Sequence, residues 1–186
     1  MKKCREWAHN ANHHSGDGFQ VSPERIARLT DAELGELMTG LFRAQAHRCG
    51  SPQTKVRART EEKAKDGGCA GWTSKPVTKD DWLGDADTCW QLKAGTSGTP
   101  ARLKNEVGKP LPKNTLEAGG RFVVVAAGST NGIKGERDRM QALTDEAVAA
   151  GIPIEHIDVI GSELMLPLRF CVRALLQVPI NGLFRA

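Results

Sequence analysis

The sequence has few aromatic residues, no closely spaced pair of cysteines and no long apolar run. Its 186 residues include four Trp, five Phe and no Tyr, a composition that argues against a base-stacking platform for single-stranded nucleic acid. The five cysteines are widely spaced and form no CxxC pair, which disfavours both a disulfide framework and a four-cysteine zinc site. The apolar run at residues 123–127 is far too short to cross a bilayer.

Signals for export and for nucleotide binding are also missing. No charged-then-apolar segment with a cleavage site occurs near the N-terminus, so we expect a cytoplasmic protein with no membrane contact. Neither GxGxxG nor GxxxxGK[ST] is present, so a phosphate-cradling loop is not indicated. The formal net charge of +4 is a mild excess that permits a polyanionic partner without requiring one.

Three parts follow from the patterning of the chain. Residues 1–21 are polar and unpatterned and are expected to be flexible, whereas residues 22–162 carry the periodic core. Thr30 and Glu33 match a capping box, and a helix is predicted beyond them. Its inward face repeats at helical spacing: Leu34, Leu37, Met38, Leu41 and Phe42. Residues 163–186 are expected to form a C-terminal helix, at 167–176, and a tail that contacts a dimer partner or a further domain.

Strand patterns occupy the middle of the chain. Alternation predicts strands near 55–60, 69–73 and 88–93, and the third places Trp90 and Leu92 on one face with Gln91 and Lys93 on the other. Residues 121–127 fit a buried central strand. A short helix near 100–107, an amphipathic helix at 135–150 and a strand at 154–160 complete a mixed α/β arrangement. In the longer helix, the residues expected to face inward are Met140, Leu143, Ala147 and Val148.

The most informative stretch is DGGCAG at residues 66–71, followed by Gln91-Leu92-Lys93 on a strand. Here the sequence resembles the PD-(D/E)xK nuclease superfamily, and within it the Mrr-like branch with a glutamine in the third motif. The resemblance covers residues 30–160. It implies a restriction-endonuclease-like α/β fold, in which a mixed sheet is flanked by helices.

The resemblance also implies a metal-dependent chemistry. In that family an acidic residue at the position of Ala70 and the oxygen at the position of Gln91 hold a divalent cation, Mg²⁺ or alternatively Mn²⁺. The cation activates a water molecule, and the lysine at the position of Lys93 orients that water. Gln91 is therefore the expected metal ligand and Lys93 the expected catalytic lysine.

The chain departs from the family pattern at Ala70, because a methyl group cannot bind a metal ion. Three explanations stay open. Ala70 is an engineered replacement of an aspartate, or the protein is a natural pseudo-enzyme that retains only DNA binding, or another carboxylate substitutes. Asp66 in the turn and Asp87, which shares the alternation of Gln91 and Lys93, are the candidates for such a substitute.

Other candidate residues come from the first long helix and from basic segments. Many family members use a helix glutamate, for which Glu36 is a candidate here. Glu33 is a second candidate, although its role in the capping box is favoured. The cations predicted to contact DNA backbone phosphates flank glycine-rich turns: Lys104, Lys134, Arg137 and Arg139.

The sequence thus predicts a Mg²⁺-dependent DNA endonuclease acting on double-stranded DNA, inactive while Ala occupies position 70. The resemblance further suggests a nuclease effector of a bacterial anti-phage defence system. The alternative is a non-catalytic DNA-binding or protein-interaction module of the same fold. A third possibility is an α/β domain in which the QxK triplet is coincidental.

Overall fold

A computed structural model describes residues 23–48, 50, 52, 56–58, 67–74, 83, 85–128 and 133–161. The predictions for residues 1–21, for Asp66 and for the C-terminal segment 163–186 lie outside these residues. Within the described part of the chain no helix is long and apolar enough to span a membrane.

A five-stranded mixed sheet forms the centre of the molecule, with the strands in chain order from one edge to the other. The first three strands are joined by antiparallel pairing, whereas the third, fourth and fifth are parallel neighbours. Parallel neighbours require a crossover connection, and helices supply it in both cases. The strands are β1 (Val56–Ala58), β2 (Gly71–Thr73), β3 (Thr88–Ala94), β4 (Arg121–Ala127) and β5 (Ile157–Gly161).

Helices cover both faces of this sheet. The short α1 (Pro23–Ala27) and the long α2 (Asp31–Arg48) precede the strands, and α2 packs on one face. A 3₁₀ turn (Gly95–Gly98) then leads through α3 (Pro100–Leu103) and α4 (Pro110–Glu117), and α5 (Ile133–Ala149) follows β4. These later helices pack on the opposite face. The predicted mixed α/β architecture, with a sheet flanked by helices, is confirmed at this level.

Side-chain alternation in the two central strands divides the core into two clusters. Trp90 and Leu92 of β3 join Val123 and Val125 of β4 against α2. Cys89 of β3 instead joins Val124 and other β4 residues against α3, α4 and α5. Gln91 and Lys93 alternate with Trp90 and Leu92, so they lie on the face covered by α3 to α5. The predicted alternation of this strand is confirmed.

The start of α2 is a capping box, as the sequence predicts. The backbone N–H of Thr30 donates to Glu33 Oε2 at 2.8 Å, and the backbone N–H of Glu33 donates to Thr30 Oγ1 at 3.3 Å. The Thr30 N–H and, second, the Thr30 hydroxyl, which donates to Glu33 Oε2 at 2.9 Å, lower the pKa of Glu33. The five apolar residues predicted to face inward, from Leu34 to Phe42, are all buried.

We expect Thr30→Ala to lower the free energy of unfolding by about 1 kcal/mol, because it removes the cap of α2. Thr39→Ala is the matched control in the same helix. The Thr39 hydroxyl donates to the Gly35 carbonyl, a bond that competes with the helix backbone, so its loss should be neutral or slightly stabilising. Urea unfolding of both variants measures the difference. Equal effects would contradict the capping role.

Two details of the helices differ from the sequence predictions. Val148 is predicted to face inward but is 64% exposed. Successive residues of a helix are rotated by about 100°, so Val148 points away from the buried face that carries Leu143 and Ala147. The helix α4 was not predicted from its polar, proline-containing sequence. Pro110 occupies its first turn, where the missing N–H of proline does no harm.

Candidate active site

The tight turn before β2 brings Ala70 beside Gln91. Gly67 and Gly68 have φ values of +62° and +93°, which glycine adopts without steric strain. The chain then places the backbone N–H of Ala70 where it donates to Gln91 Oε1 at 3.2 Å. Two positions 21 residues apart that the family resemblance pairs are therefore adjacent in space.

Lys93 completes the expected group on the same face of β3. Its side chain is only 19% exposed, and its ammonium lies 2.9 Å from Glu106 Oε1. Gln91 contacts the same carboxylate, since its Nε2 donates to Glu106 Oε2 at 2.9 Å. The structure therefore places Gln91 and Lys93 around Glu106, with the backbone N–H of Ala70 on Gln91. The Ala70 methyl group itself packs against the cluster on the α2 side of the sheet.

Glu106 is the site residue that the sequence analysis missed. It lies in the connection between α3 and α4, with a side chain 6% exposed. Besides Lys93 and Gln91, it binds Lys109, whose Nζ lies 2.7 Å from Glu106 Oε2. One buried carboxylate thus links the strand motif to the crossover connection.

A sequence signal for Glu106 does exist. Leu103 and Val107 are both completely buried, and residues three and four apart share one side of a helical turn. Glu106 stands three residues after Leu103, next to Val107, so the helical spacing places a carboxylate on an apolar face. A charged residue in that position is seldom buried without a partner of opposite charge.

Two opposing effects set the pKa of Glu106. Burial raises it, but hydrogen bonds from Lys109 and Lys93, together with their charges, outweigh that effect, and the pKa of Glu106 falls below its ordinary value. Glu106 is therefore ionised at neutral pH and stabilises the fold there. Because the folded-state pKa is the lower one, this stabilisation is present above the unfolded-state pKa and is lost as pH falls through the folded-state value.

We expect Glu106→Gln to lower the free energy of unfolding by about 1–2 kcal/mol at neutral pH. The gap between this variant and the unaltered chain should close as pH is lowered through the depressed folded-state pKa of Glu106. Urea unfolding across this pH range measures it. Glu117→Gln is the control, since Glu117 is 49% exposed and 3.9 Å from Lys113, and exposed pairs contribute little. A gap independent of pH would contradict the assigned ionisation.

Glu146 of α5 fixes the backbone of the same connection. Its Oε1 accepts from the Gly108 N–H at 3.1 Å, and its Oε2 accepts from the Val107 N–H at 3.4 Å. Burial raises the pKa of Glu146, against the opposing effect of these backbone hydrogen bonds. The segment that carries Glu106 and Lys109 is thereby tied to the helix behind it.

Gly68 also lies directly against Lys109. A Cβ atom added to Gly68 would lie 2.6 Å from Lys109 Cδ and 2.7 Å from its Cβ, distances that real Cβ atoms do not adopt. Residue 68 therefore has two reasons to be glycine: its φ is positive, and the Lys109 side chain fills the space that a Cβ atom would occupy.

The residues present do not fit a divalent cation. Ala70 supplies no oxygen from its side chain, and Gln91 turns its amide nitrogen toward Glu106. The Glu106 carboxylate is already paired with two ammonium groups, which would repel a cation. Among the described residues, no group of three or more His, Cys, Asp or Glu side chains is arranged to hold a metal ion.

The remaining candidate ligands lie elsewhere or outside the described residues. Glu33 acts in the cap of α2, and Glu36 is an exposed residue of the same helix, which packs on the sheet face opposite Gln91 and Lys93. Asp87 is exposed and precedes Gln91 by four residues, about 13 Å along an extended strand. Neither Glu36 nor Asp87 joins the group around Glu106.

The four predicted DNA-contacting cations divide into two kinds. Lys104, Lys134 and Arg137 are exposed on the side of the sheet covered by α3 to α5. Arg139 is 1% exposed, and its Nε donates to the Gly98 carbonyl at 2.7 Å. Arg139 thus braces the start of the α3 connection, and its burial argues against the predicted contact with DNA.

Comparisons of the chain with protein-family models, curated proteins and solved structures gave no match. The function is therefore inferred from the residues of the site and from their geometry.

Proposed function

We propose that this domain has the active-site framework of a metal-dependent DNA endonuclease and that, with Ala70, it binds duplex DNA without cutting it. The observation that supports this proposal is the hydrogen bond from the Ala70 N–H to Gln91 Oε1, on the strand face that also carries Lys93. The three positions that the nuclease resemblance requires are neighbours. The acidic side chain at position 70 is missing, and Gln91 is held by Ala70 and Glu106.

The order of elements supports the same proposal. The resemblance implies a helix, a strand closing with an acidic residue, a turn and then a strand carrying the [E/Q]-x-K triplet. The helix α2 and the strands β2 and β3 occur in that order, although residue 70 directly precedes β2 instead of closing it. The site lies at the junction of β2, β3 and the connection after β3. Exposed Lys104 and Arg137 on the neighbouring helices suit contacts with a phosphate backbone, which give affinity without sequence choice.

The alternative is a non-catalytic binding module, in which Ala70 is the native residue and the domain has no nuclease activity. The pairing of Glu106 with Lys93 and Lys109 favours this alternative, because a closed ion-pair network leaves no free carboxylate for a metal ion. Both proposals predict DNA binding. The nuclease proposal predicts that a carboxylate at position 70 gives cleavage, whereas the binding-module proposal predicts that it does not.

We expect the unaltered chain to bind duplex DNA with an affinity that falls steeply as salt rises, through release of counterions. The double variant Lys104→Gln with Arg137→Gln should weaken binding and flatten the slope of log K against log salt by about 2, roughly one for each phosphate that is no longer neutralised. Fluorescence anisotropy with a labelled duplex over a salt series measures both quantities.

A matched control removes two exposed cations from the other side of the domain. Arg28 follows α1 and Arg43 lies on α2, and both are exposed. Arg28→Gln with Arg43→Gln makes the same change in net charge and should leave the slope nearly unchanged. Binding that is absent, or insensitive to salt, or weakened equally by the two double variants, would reject the proposed DNA surface.

A further inference from the structure

We propose that Lys93 and Lys109 form a binding site for a phosphate group and that Glu106 occupies this site as an internal anion, which the phosphate must displace. The identification of the ligand as a DNA backbone phosphate rests on the proposed function. The site itself rests on the contacts of Glu106.

The geometry of Glu106 is that of a bound oxyanion. Each of its two oxygens faces a different ammonium, Oε1 at 2.9 Å from Lys93 and Oε2 at 2.7 Å from Lys109. The Gln91 amide adds a third donor at 2.9 Å. A phosphate group carries the same kind of oxygens in greater number and can accept from the same three donors.

The exposure of the three charged side chains gives the direction of approach. Lys109 is 36% exposed and Lys93 is 19% exposed, whereas Glu106 is 6% exposed. An arriving anion therefore meets the two ammonium groups before it meets the carboxylate. Each ammonium has three N–H donors, so a phosphate can bind at the outer side before the Glu106 contacts are broken.

The direct ion pairs at this site join two cations to one carboxylate, and the Glu146 carboxylate interacts with Lys109 and Glu106 without such a contact. Two cations face one carboxylate, and within the described residues the ion pairs of Lys93 and Lys109 are made with Glu106 alone. The nearby Glu146 uses both of its oxygens on the N–H groups of Val107 and Gly108. These bonds also hold the backbone of the connection, so the Glu106 side chain can turn away while Lys109 stays in place.

The test compares the affinity for inorganic phosphate of the unaltered chain, Glu106→Gln and Glu117→Gln, by isothermal titration calorimetry. We expect Glu106→Gln to bind phosphate about tenfold more tightly than the unaltered chain, because a competing charge at hydrogen-bond distance has been removed. Glu117→Gln makes the same change in net charge at an exposed pair and should change the affinity less than twofold. Adding Lys109→Gln to Glu106→Gln should abolish the gain, whereas adding Lys113→Gln should not.

Two results would overturn the proposal: Glu106→Gln binds phosphate no more tightly than Glu117→Gln, or its gain survives Lys109→Gln. The same proteins are then titrated with duplex DNA. A gain for phosphate without any DNA binding would reject the proposed DNA function and keep the phosphate site. If Glu106→Gln shows no gain for phosphate, and both variants bind DNA equally and in a salt-sensitive way, the phosphate site is rejected and the proposed DNA function is kept.

Circular dichroism shows whether Glu106→Gln is folded. If it is not, the unaltered chain is labelled by reductive ¹³C-methylation of its lysines and titrated with inorganic phosphate in the millimolar range. The resonances of Lys93 and Lys109 should shift and that of Lys113 should not. Shifts confined to other lysines would overturn the proposal.

Discussion

Ala70→Asp is expected to convert the domain into a Mg²⁺-dependent nuclease. Ala70 is half-buried, its backbone N–H donates to Gln91 Oε1, and its methyl group packs against the cluster on the α2 side. An aspartate there supplies the missing acidic group once its longer side chain turns toward Gln91. We expect plasmid nicking at least about 100-fold faster than by the unaltered chain, the scale on which one charged group at a reacting centre acts. Gel analysis of supercoiled plasmid, with Mg²⁺ and with EDTA, measures it.

Two further variants make this result specific. Ala70→Asp combined with Lys93→Ala should fall back to background, because the expected catalytic lysine is gone. Ala150→Asp adds the same charge at an exposed residue after α5 and should not cut. Failure of Ala70→Asp to cut, in a folded protein, would reject the nuclease framework and favour the binding module. Cleavage by the unaltered chain would instead mean that another carboxylate replaces the missing one.

The second large effect concerns stability, at Trp90. Its side chain is completely buried, its ring centroid lies 4.9 Å from that of Phe42 in a tilted arrangement, and its Nε1 donates to Thr73 Oγ1 at 2.9 Å. Trp90→Ala should lower the free energy of unfolding by about 3–5 kcal/mol, since the core cannot close over the cavity. That loss is a large part of the stability of a domain of this size.

Trp72→Ala is the matched comparison on the neighbouring strand. Trp72 is only half-buried, pairs with Cys89 in register and packs against the opposite cluster. We expect a loss of about 1–2 kcal/mol for this variant, in proportion to the smaller area it buries. Urea unfolding followed by circular dichroism measures both. Equal losses would contradict the assignment of Trp90 to the sealed core between β3 and α2.

The parts of the molecule with a local pattern could be predicted from the sequence. The capping box of Thr30 and Glu33 needs residues three apart, and the alternation that sets Gln91 and Lys93 against Trp90 needs only neighbours on one strand. Such features depend on nothing distant. They were enough to predict the mixed sheet, its flanking helices and the strand that carries the site.

The parts that depend on the crossover could not be predicted in the same way. Glu106 meets Lys93 only because the connection after β3 folds back over the strand, and no periodicity of the sequence specifies that path. Arg139 shows a related difficulty. It stands one helical turn before the buried Leu143, so its spacing indicates an inward position, but its charge led to a surface assignment. The Gly98 carbonyl that accepts the hydrogen bond from Arg139 is 41 residues away in sequence, and only the folded structure shows that the two groups meet.

The contact between Gly68 and the stem of Lys109 bears on attempts to transplant this site. The DGG turn and the QxK strand form a short continuous stretch, which makes them attractive for grafting onto another α/β scaffold. Such a graft would carry Gln91 and Lys93 but leave behind Lys109, which reaches the site from a segment beyond α3 and rests on the bare backbone of Gly68. The smallest transferable unit therefore extends from the turn through the first residues of α4.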